Sequence, residues 1–344
     1  MEGPIRTLQR NCAANGHMAP SFIRWLSPSK RPLSIPDNES QEIGKRFYEA
    51  CRDVGFAYLI NTGIPQEKVD GMFEWSAKFF VLPVEVKTKV SKPPEKHGGY
   101  SGIGVEQVAI RKGKFLDFKE SFDICDETST AELGLGNTWL PGEVLPGFRE
   151  SAMDYCRSCR TFQTERLLPA LCIGMGLDKE FFNEYHKDGA NLLRLVHYPE
   201  APAEVFESGE KGRIGAHTDY GTCTLLFQDD VGGLEIESPS EPGVFIPAPP
   251  IRGAAIFNIG DLLMRWSNDT LKSTLHRVRA PPKRSTDDNG MIRERFSIPY
   301  FIDADSKTVV DCIPGCWGPD KPKRYDPVNA AEYIDMRVNA TYVQ

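Results

Sequence analysis

Beyond residue 190 the chain is cut into short runs of strand length, a pattern that leaves few folds open. The runs are Asn191–Tyr198, Thr222–Gln228, Leu234–Glu237, Ala254–Ile259, Ser273–Val278 and Arg295–Phe301. Gly232-Gly233, Pro239, Pro242-Gly243, Asn268-Asp269 and Asp288-Asn289-Gly290 stand between them as turn formers. Many short, evenly spaced strands close most readily into a barrel or sandwich. The preceding stretch reads differently. Ile43, Phe47, Ala50, Cys51 and Val54 recur at helical spacing within Glu39–Val54, and Gly55 sits where a C-terminal cap belongs. Phe56–Ile60 is a predicted strand and Gln66–Val81 a predicted helix, while Lys92–Gly104, with Tyr100 inside it, reads as a loop. Glu143–Phe182 carries a long helical pattern that Pro169 should kink or divide. The expected organisation is mixed α/β with a mainly β core. A loosely ordered arm (1–36) and a helical supporting region (37–190) lead into a strand-rich core (191–344), the body forming one structural unit.

Composition narrows the function classes. The net charge of −7 over 344 residues argues against a nucleic-acid partner or an anionic membrane surface, both of which favour basic patches. Nine scattered cysteines, an odd number, do not form a disulfide framework and suit a reducing compartment. Cys156-Arg157-Ser158-Cys159 has metal-like spacing but no matching second pair, so a structural pair on one helix face is the simpler reading. No apolar run reaches the roughly 18 residues of a membrane span, and the first residues make a poor signal peptide. A cytoplasmic enzyme is the expectation.

His217 and Asp219 lie two residues apart, so on a strand they point to one side. His276, far along the chain, falls in another predicted strand, and two strands of one barrel can bring the three together. Two imidazoles and one carboxylate leave the other coordination positions of a metal open, the facial arrangement of non-haem iron(II) oxygenases. A lone histidine carries little weight, and the same donors also suit a catalytic zinc. Arg295, Ser297 and Phe301 share strand parity. An inward guanidinium implies an anion, either a bound carboxylate or a structural acid. Arg194, Val196 and Tyr198 likewise share a face, which makes Arg194 an inward cation or the partner of a core acid.

Taken together and in order, Gly215-Ala216-His217-Thr218-Asp219-Tyr220-Gly221, Gly232-Gly233-Leu234, Asn258-Ile259-Gly260-Asp261, His276-Arg277-Val278 and Arg295-Phe296-Ser297 resemble the iron(II)/2-oxoglutarate dioxygenases of the isopenicillin N synthase-like family. Gly55-Phe56-Ala57-Tyr58-Leu59, Asn61 and Gly63-Ile64-Pro65 extend the resemblance toward the N-terminus, and it covers roughly residues 36–340. It implies a distorted double-stranded β-helix, or jelly roll, flanked by helices, including one at the C-terminus. It implies His217, Asp219 and His276 as catalytic iron(II) ligands, Arg295 and Ser297 on the distal carboxylate of 2-oxoglutarate, and Tyr198 beside that cosubstrate. Val196 stands where many relatives carry an asparagine. The implied reaction consumes 2-oxoglutarate and O2, with ascorbate as a helpful reductant, and hydroxylates a C–H bond, with ring rearrangement and desaturation as variants.

Within the family the chain is most similar to the fungal thymine 7-hydroxylase type and to fungal secondary-metabolite dioxygenases, through Leu193-Arg194-Leu195, His197-Tyr198-Pro199 and Arg265-Trp266-Ser267-Asn268-Asp269-Thr270. That likeness implies Arg194, Tyr220 and Phe301 as the holders of a small, planar aromatic or heterocyclic substrate. The alternatives are an oxidase without 2-oxoglutarate, a zinc hydrolase, and a binding module with a silent metal.

Overall fold

The computed structural model describes residues 21–24, 38–93, 96–106, 116–125, 127, 136–188, 191–207, 211–280 and 290–340. Of the arm expected over residues 1–36, only Ser21–Arg24 is among them. The remainder of the arm, Cys12 included, and the turn residues Asp288 and Asn289 lie outside the described residues.

The strands that frame the site are β1 (Ser21–Arg24), β2 (Phe56–Ile60), β3 (Gly99–Ser101), β4 (Glu120–Cys125), β5 (Leu192–Tyr198), β6 (Ile214–His217), β7 (Cys223–Gln228), β8 (Leu234–Glu237), β9 (Phe245–Pro247), β10 (Ala254–Ile259), β11 (His276–Val278) and β12 (Arg295–Ile302). An eight-stranded sheet runs β1-β2-β10-β7-β12-β5-β4-β3, and a four-stranded sheet runs β9-β8-β11-β6. Strand pairs within both are antiparallel, except that β1 adds to β2 in parallel at one edge. The large sheet therefore draws strands from both halves of the chain.

Helices α1 (Asn38–Asp53), α2 (Gln66–Phe80), α3 (Phe148–Phe162), α4 (Leu168–Gly174), α5 (Asp261–Trp266) and α6 (Ala330–Asn339) complete the frame. Two apolar clusters show how the layers divide. The larger one joins Phe47, Met72, Phe79, Tyr155 and Leu171 of the helices to Phe122, Leu195, Leu225, Phe257 and Tyr300 of the large sheet. The smaller one fills the space between the sheets with Phe56, Tyr58, Val196, Tyr198, Leu234, Ile236, Ile256 and Val278. Alternate residues of a strand serve opposite faces, which is how β5 places Leu195 in one cluster and Val196 in the other. Gly55 ends the connection from α1 at φ +79°, and a Cβ there would lie 2.2 Å from the Lys272 carbonyl oxygen, so a side chain is excluded.

Three local expectations change, and a strand joins them that the sequence pattern does not announce. The loop expected over Lys92–Gly104 contains β3, because Tyr100 finds a backbone partner in Phe122 of β4. Strand β4 itself escapes a reading by apolar alternation, since all six of its residues are buried, Glu120 and Asp123 among them. The long helix starts at Phe148 and passes through a π-helical turn, Gln163–Leu167. Pro169 then falls at the start of α4, directly after the π-helical turn. Ser273–Val278 is a strand only from His276 onward; Thr274 lies before it and gives its hydroxyl to the Val54 carbonyl at 2.6 Å. Cys156 and Cys159 both turn into the core from α3. No helix among the described residues is long and apolar enough to cross a membrane.

Candidate metal centre

Strands β6 and β11 pair so that His217 and His276 are opposite one another, their rings 4.3 Å apart between centroids. Strand β6 ends at His217, so Asp219 is not on the strand that spacing alone suggested. It reaches the site from the turn that follows, and the turn is held by backbone bonds from α5: Asp261 N–H donates to the Asp219 carbonyl at 2.8 Å and Leu262 N–H to the Tyr220 carbonyl at 3.1 Å. Gly221 completes the turn against the Asp303 carboxylate; a Cβ would stand 1.7 Å from its Oδ1.

One donor atom each from His217, Asp219 and His276 lies within 4.8 Å of the other two, the one such metal-competent cluster among the described residues. The nearest approaches are Asp219 Oδ1 to His276 Nε2 at 3.6 Å and to His217 Nε2 at 3.9 Å. The atoms facing away are already engaged. His217 Nδ1 donates to the Gly215 carbonyl at 2.8 Å and His276 Nδ1 to the Thr274 carbonyl at 3.1 Å. A carbonyl can only accept, so Nδ1 carries the proton and each Nε2 offers its lone pair inward. Asp219 Oδ2 accepts from Thr224 Oγ1 at 2.5 Å and from Asn258 Nδ2 at 2.7 Å, which leaves Oδ1 turned to the histidines. Such outer partners fix ligand orientation and tautomer.

Electrostatics favour the ligating protonation states. Burial, reinforced by His276, pushes His217 down to about 3, so it is a neutral imidazole at physiological pH. Burial opposes ionisation of Asp219, but both histidines, Thr224 and Asn258 outweigh it and hold the carboxyl below its usual range. The donor set therefore fits a divalent metal.

Arg295 begins β12 opposite Tyr198 at the end of β5, and Ser297 pairs with Val196. Arg295 is 0 % exposed, its guanidinium carbon 4.8 Å from the centre of the Tyr198 ring. Its Nη2 donates to Gln228 Oε1 at 3.1 Å, whereas Nε and Nη1 have no partner among the described residues. Two unmet donors on a buried cation mark a place for an anionic ligand. Arg194 is placed differently: Asp123 takes its Nε and Nη2 at 2.6 and 2.8 Å, and Glu106 stands 3.2 Å from its Nη1. Its guanidinium carbon lies 5.8 Å from the centre of the Phe301 ring. Tyr220 is covered by Arg337 of α6, 4.5 Å from the ring centre. Arg337 also pairs with Asp261 and approaches Thr218 Oγ1 at 3.5 Å, so the C-terminal helix clasps the turn that carries Asp219.

Residue-by-residue reading missed Thr224, Asn258 and Asp303. Asn258 stood inside the Asn258-Ile259-Gly260-Asp261 motif, yet only the pairing of β7 with β10 puts it opposite Thr224 and beside Asp219.

Residues 29–141 match the N-terminal region of a non-haem dioxygenase in morphine synthesis, and residues 189–304 match the 2OG-Fe(II) oxygenase superfamily. The chain is 38 % identical over 305 residues to the 2-oxoglutarate-dependent dioxygenase frbA of Dothideomycetidae sp., covering 84 % of this chain and 88 % of the relative. It is 37 % identical over 304 residues to the proline hydroxylase buaE of Petromyces alliaceus, covering 87 % of this chain and 93 % of the relative. The crystal structure of Neurospora crassa T7H with α-ketoglutarate and thymine superimposes with a TM-score of 0.84 at 36 % identity, over 95 % of this chain and 98 % of that one. Donor set, fold and relatives agree, and the chain belongs to the iron(II)- and 2-oxoglutarate-dependent dioxygenases.

Proposed function

We propose that this dioxygenase hydroxylates a C–H bond of a small, planar, oxygen-rich aromatic or heterocyclic substrate in fungal secondary or pyrimidine metabolism. In this reading His217, Asp219 and His276 hold iron(II), Arg295 and Ser297 bind the distal carboxylate of 2-oxoglutarate beside Tyr198, and Arg194, Tyr220 and Phe301 hold the substrate. Iron(II) with 2-oxoglutarate and O2 supplies the oxidation, the oxoacid leaving as succinate and carbon dioxide. The protein's part is placement. Asp219 is fixed by Thr224 and Asn258, the two Nδ1–H bonds keep the imidazoles aimed at the metal, and Arg295 fixes one end of the cosubstrate.

The observation that carries the substrate reading is the pinning of Arg194. Two carboxylates hold its guanidinium plane in one orientation near Phe301, and a fixed cation beside an aromatic face suits a flat ring bearing carbonyl or phenolate oxygens. Solved structures of T7H hold thymine and 5-formyluracil, molecules of that shape.

A second reading rests on the same wall. Arg194, Lys119 and Lys92 are interleaved there with Glu106 and Asp123, a largely buried mixed-charge network whose edge would also suit a zwitterionic amino acid, and buaE is named a proline hydroxylase. Incubation with iron(II), 2-oxoglutarate and a panel of pyrimidines, phenolic aldehydes and L-proline, read as succinate and as product mass, separates the two. Turnover confined to planar substrates and lost in Arg194→Ala is expected. Turnover of L-proline alone would replace the first reading by the second.

A further inference from the structure

We propose that Arg213 is a second cosubstrate-binding residue, forming with Arg295 a two-guanidinium seat for the distal carboxylate of 2-oxoglutarate. The inference rests on the Arg295 assignment and adds a residue to it. Arg213 stands just before β6 with the parity of Gly215 and His217, so its side chain enters the space between the sheets that His217 faces. It is 0 % exposed, as Arg295 is, and its guanidinium carbon lies 5.6 Å from the centre of the Tyr198 ring that Arg295 also approaches.

Neither arginine has an acidic partner among the described residues that would account for its burial. Arg213 Nη2 donates to the Arg293 carbonyl, and its Nε and Nη1 have no partner among the described residues, matching the two unmet atoms of Arg295. Asp229 is the acid whose charge both feel, but its carboxylate is occupied: Oδ2 accepts the Phe296 N–H at 2.5 Å and Oδ1 the Val231 N–H at 3.0 Å. Two buried cations that share the Tyr198 ring as a neighbour and feel one another's charge, with donors unmet on each, are unfavourable by desolvation and by mutual repulsion. Burial and then Arg295 lower Arg213 to about 10, which still leaves it charged at neutral pH. Structural arginines are normally completed by carboxylates or carbonyls. This pair is completed by an anion brought from outside.

Location selects the anion. Arg295 begins β12 and Arg213 precedes β6, both beside the Tyr198 ring, while His217 closes β6 further along the strand. A diacid chelating the metal through its oxoacid end would present its second carboxylate to this seat. A 2-oxoacid lacking that carboxylate would leave the seat unfilled.

The test uses iron(II)-loaded enzyme without oxygen and follows 2-oxoglutarate binding by calorimetry, with thermal melts of free and bound protein. Arg213→Met should weaken binding by about tenfold to a hundredfold, the loss expected for a charge-assisted hydrogen bond. It should leave the melting temperature of the ligand-free protein unchanged or higher, since a buried unpaired cation is removed, and should shrink the stabilisation that 2-oxoglutarate confers. Arg213→Lys should recover part of the affinity. Pyruvate, lacking the distal carboxylate, should bind wild type and Arg213→Met alike. Affinity for 2-oxoglutarate within twofold of wild type in Arg213→Met, or an equal loss for pyruvate, overturns the seat. Arg295→Met separates the two assignments: if it weakens binding while Arg213→Met does not, the second arginine alone is wrong, and if neither does, both assignments fall.

Discussion

Replacing Asn258 by alanine tests whether the metal site is built by the residues behind it. Asn258 is 3 % exposed and donates at 2.7 Å to Asp219 Oδ2, while Thr224 donates to the same oxygen at 2.5 Å. Together they prevent rotation of the carboxylate, so that Oδ1 alone faces His217 and His276. A hydrogen bond to a charged group contributes about 1.5–3 kcal/mol, and each 1.4 kcal/mol is about tenfold in an equilibrium constant. Asn258→Ala should therefore weaken iron(II) or cobalt(II) binding by roughly 10- to 100-fold, the range typical of lost outer partners of metal ligands. Thr224→Val should act in the same direction. Because these donors favour the ionised carboxylate, their loss raises the Asp219 pKa, and metal uptake should shift to higher pH. The assay is anaerobic competition against a chelating dye, with a thermal melt of the metal-free variant to confirm folding. Metal affinity within twofold of wild type in both variants would refute the reasoning, because free rotation of Asp219 would then be harmless.

Two further outcomes follow from the same turn. Burial, with Asp219 as a secondary cause, raises Asp303 to about 7, against about 3.9 in an unfolded chain. Between those pH values the native state holds the extra proton, so metal-free protein should lose stability as pH rises from about 4 to 7. Asp303→Asn should flatten that slope and melt higher than wild type at pH 8 but not at pH 4; parallel melting profiles in the presence of a chelator would contradict it. Arg337→Ala removes the partner of buried Asp261 and the cover over Tyr220, and should lower the melting temperature by several degrees and raise KM for the substrate. Asp261→Asn added to it should restore part of the stability, and a double variant no better than the single one would show that the ion pair is not the cause.

How much of this was readable beforehand depended on the range of the interaction concerned. His217, Asp219, His276, Arg295 and Ser297 are separated along the chain but declare themselves by residue type and order. The edges of β8 and β10 fell where turn formers placed them. What stayed hidden depends on register between strands distant in sequence. Asp123 reaches Arg194 because β4 pairs with β5, and nothing in Glu120–Cys125 signals a wholly buried strand, its acids being neutralised by Arg194, Lys92 and Lys87 from elsewhere. Strand parity put Asp219 on β6, yet the chain turns after His217 because Asp261 and Leu262 bind its carbonyls. Arg213 could be seen as inward by parity, but that no described acid completes its hydrogen bonds is a property of the assembled barrel. Likewise α6 was expected as a flanking helix, whereas its clasp on Thr218 and Tyr220 through Arg337 needs three-dimensional proximity.

The most direct measurement is a crystal structure grown without oxygen in the presence of iron(II) and 2-oxoglutarate. It should show His217 Nε2, Asp219 Oδ1 and His276 Nε2 as the sole protein ligands on one face of the ion, the oxoacid chelated opposite them, and its distal carboxylate on Arg295. A fourth protein donor on the metal, or an oxoacid bound with Arg295 still unpartnered, would contradict the account.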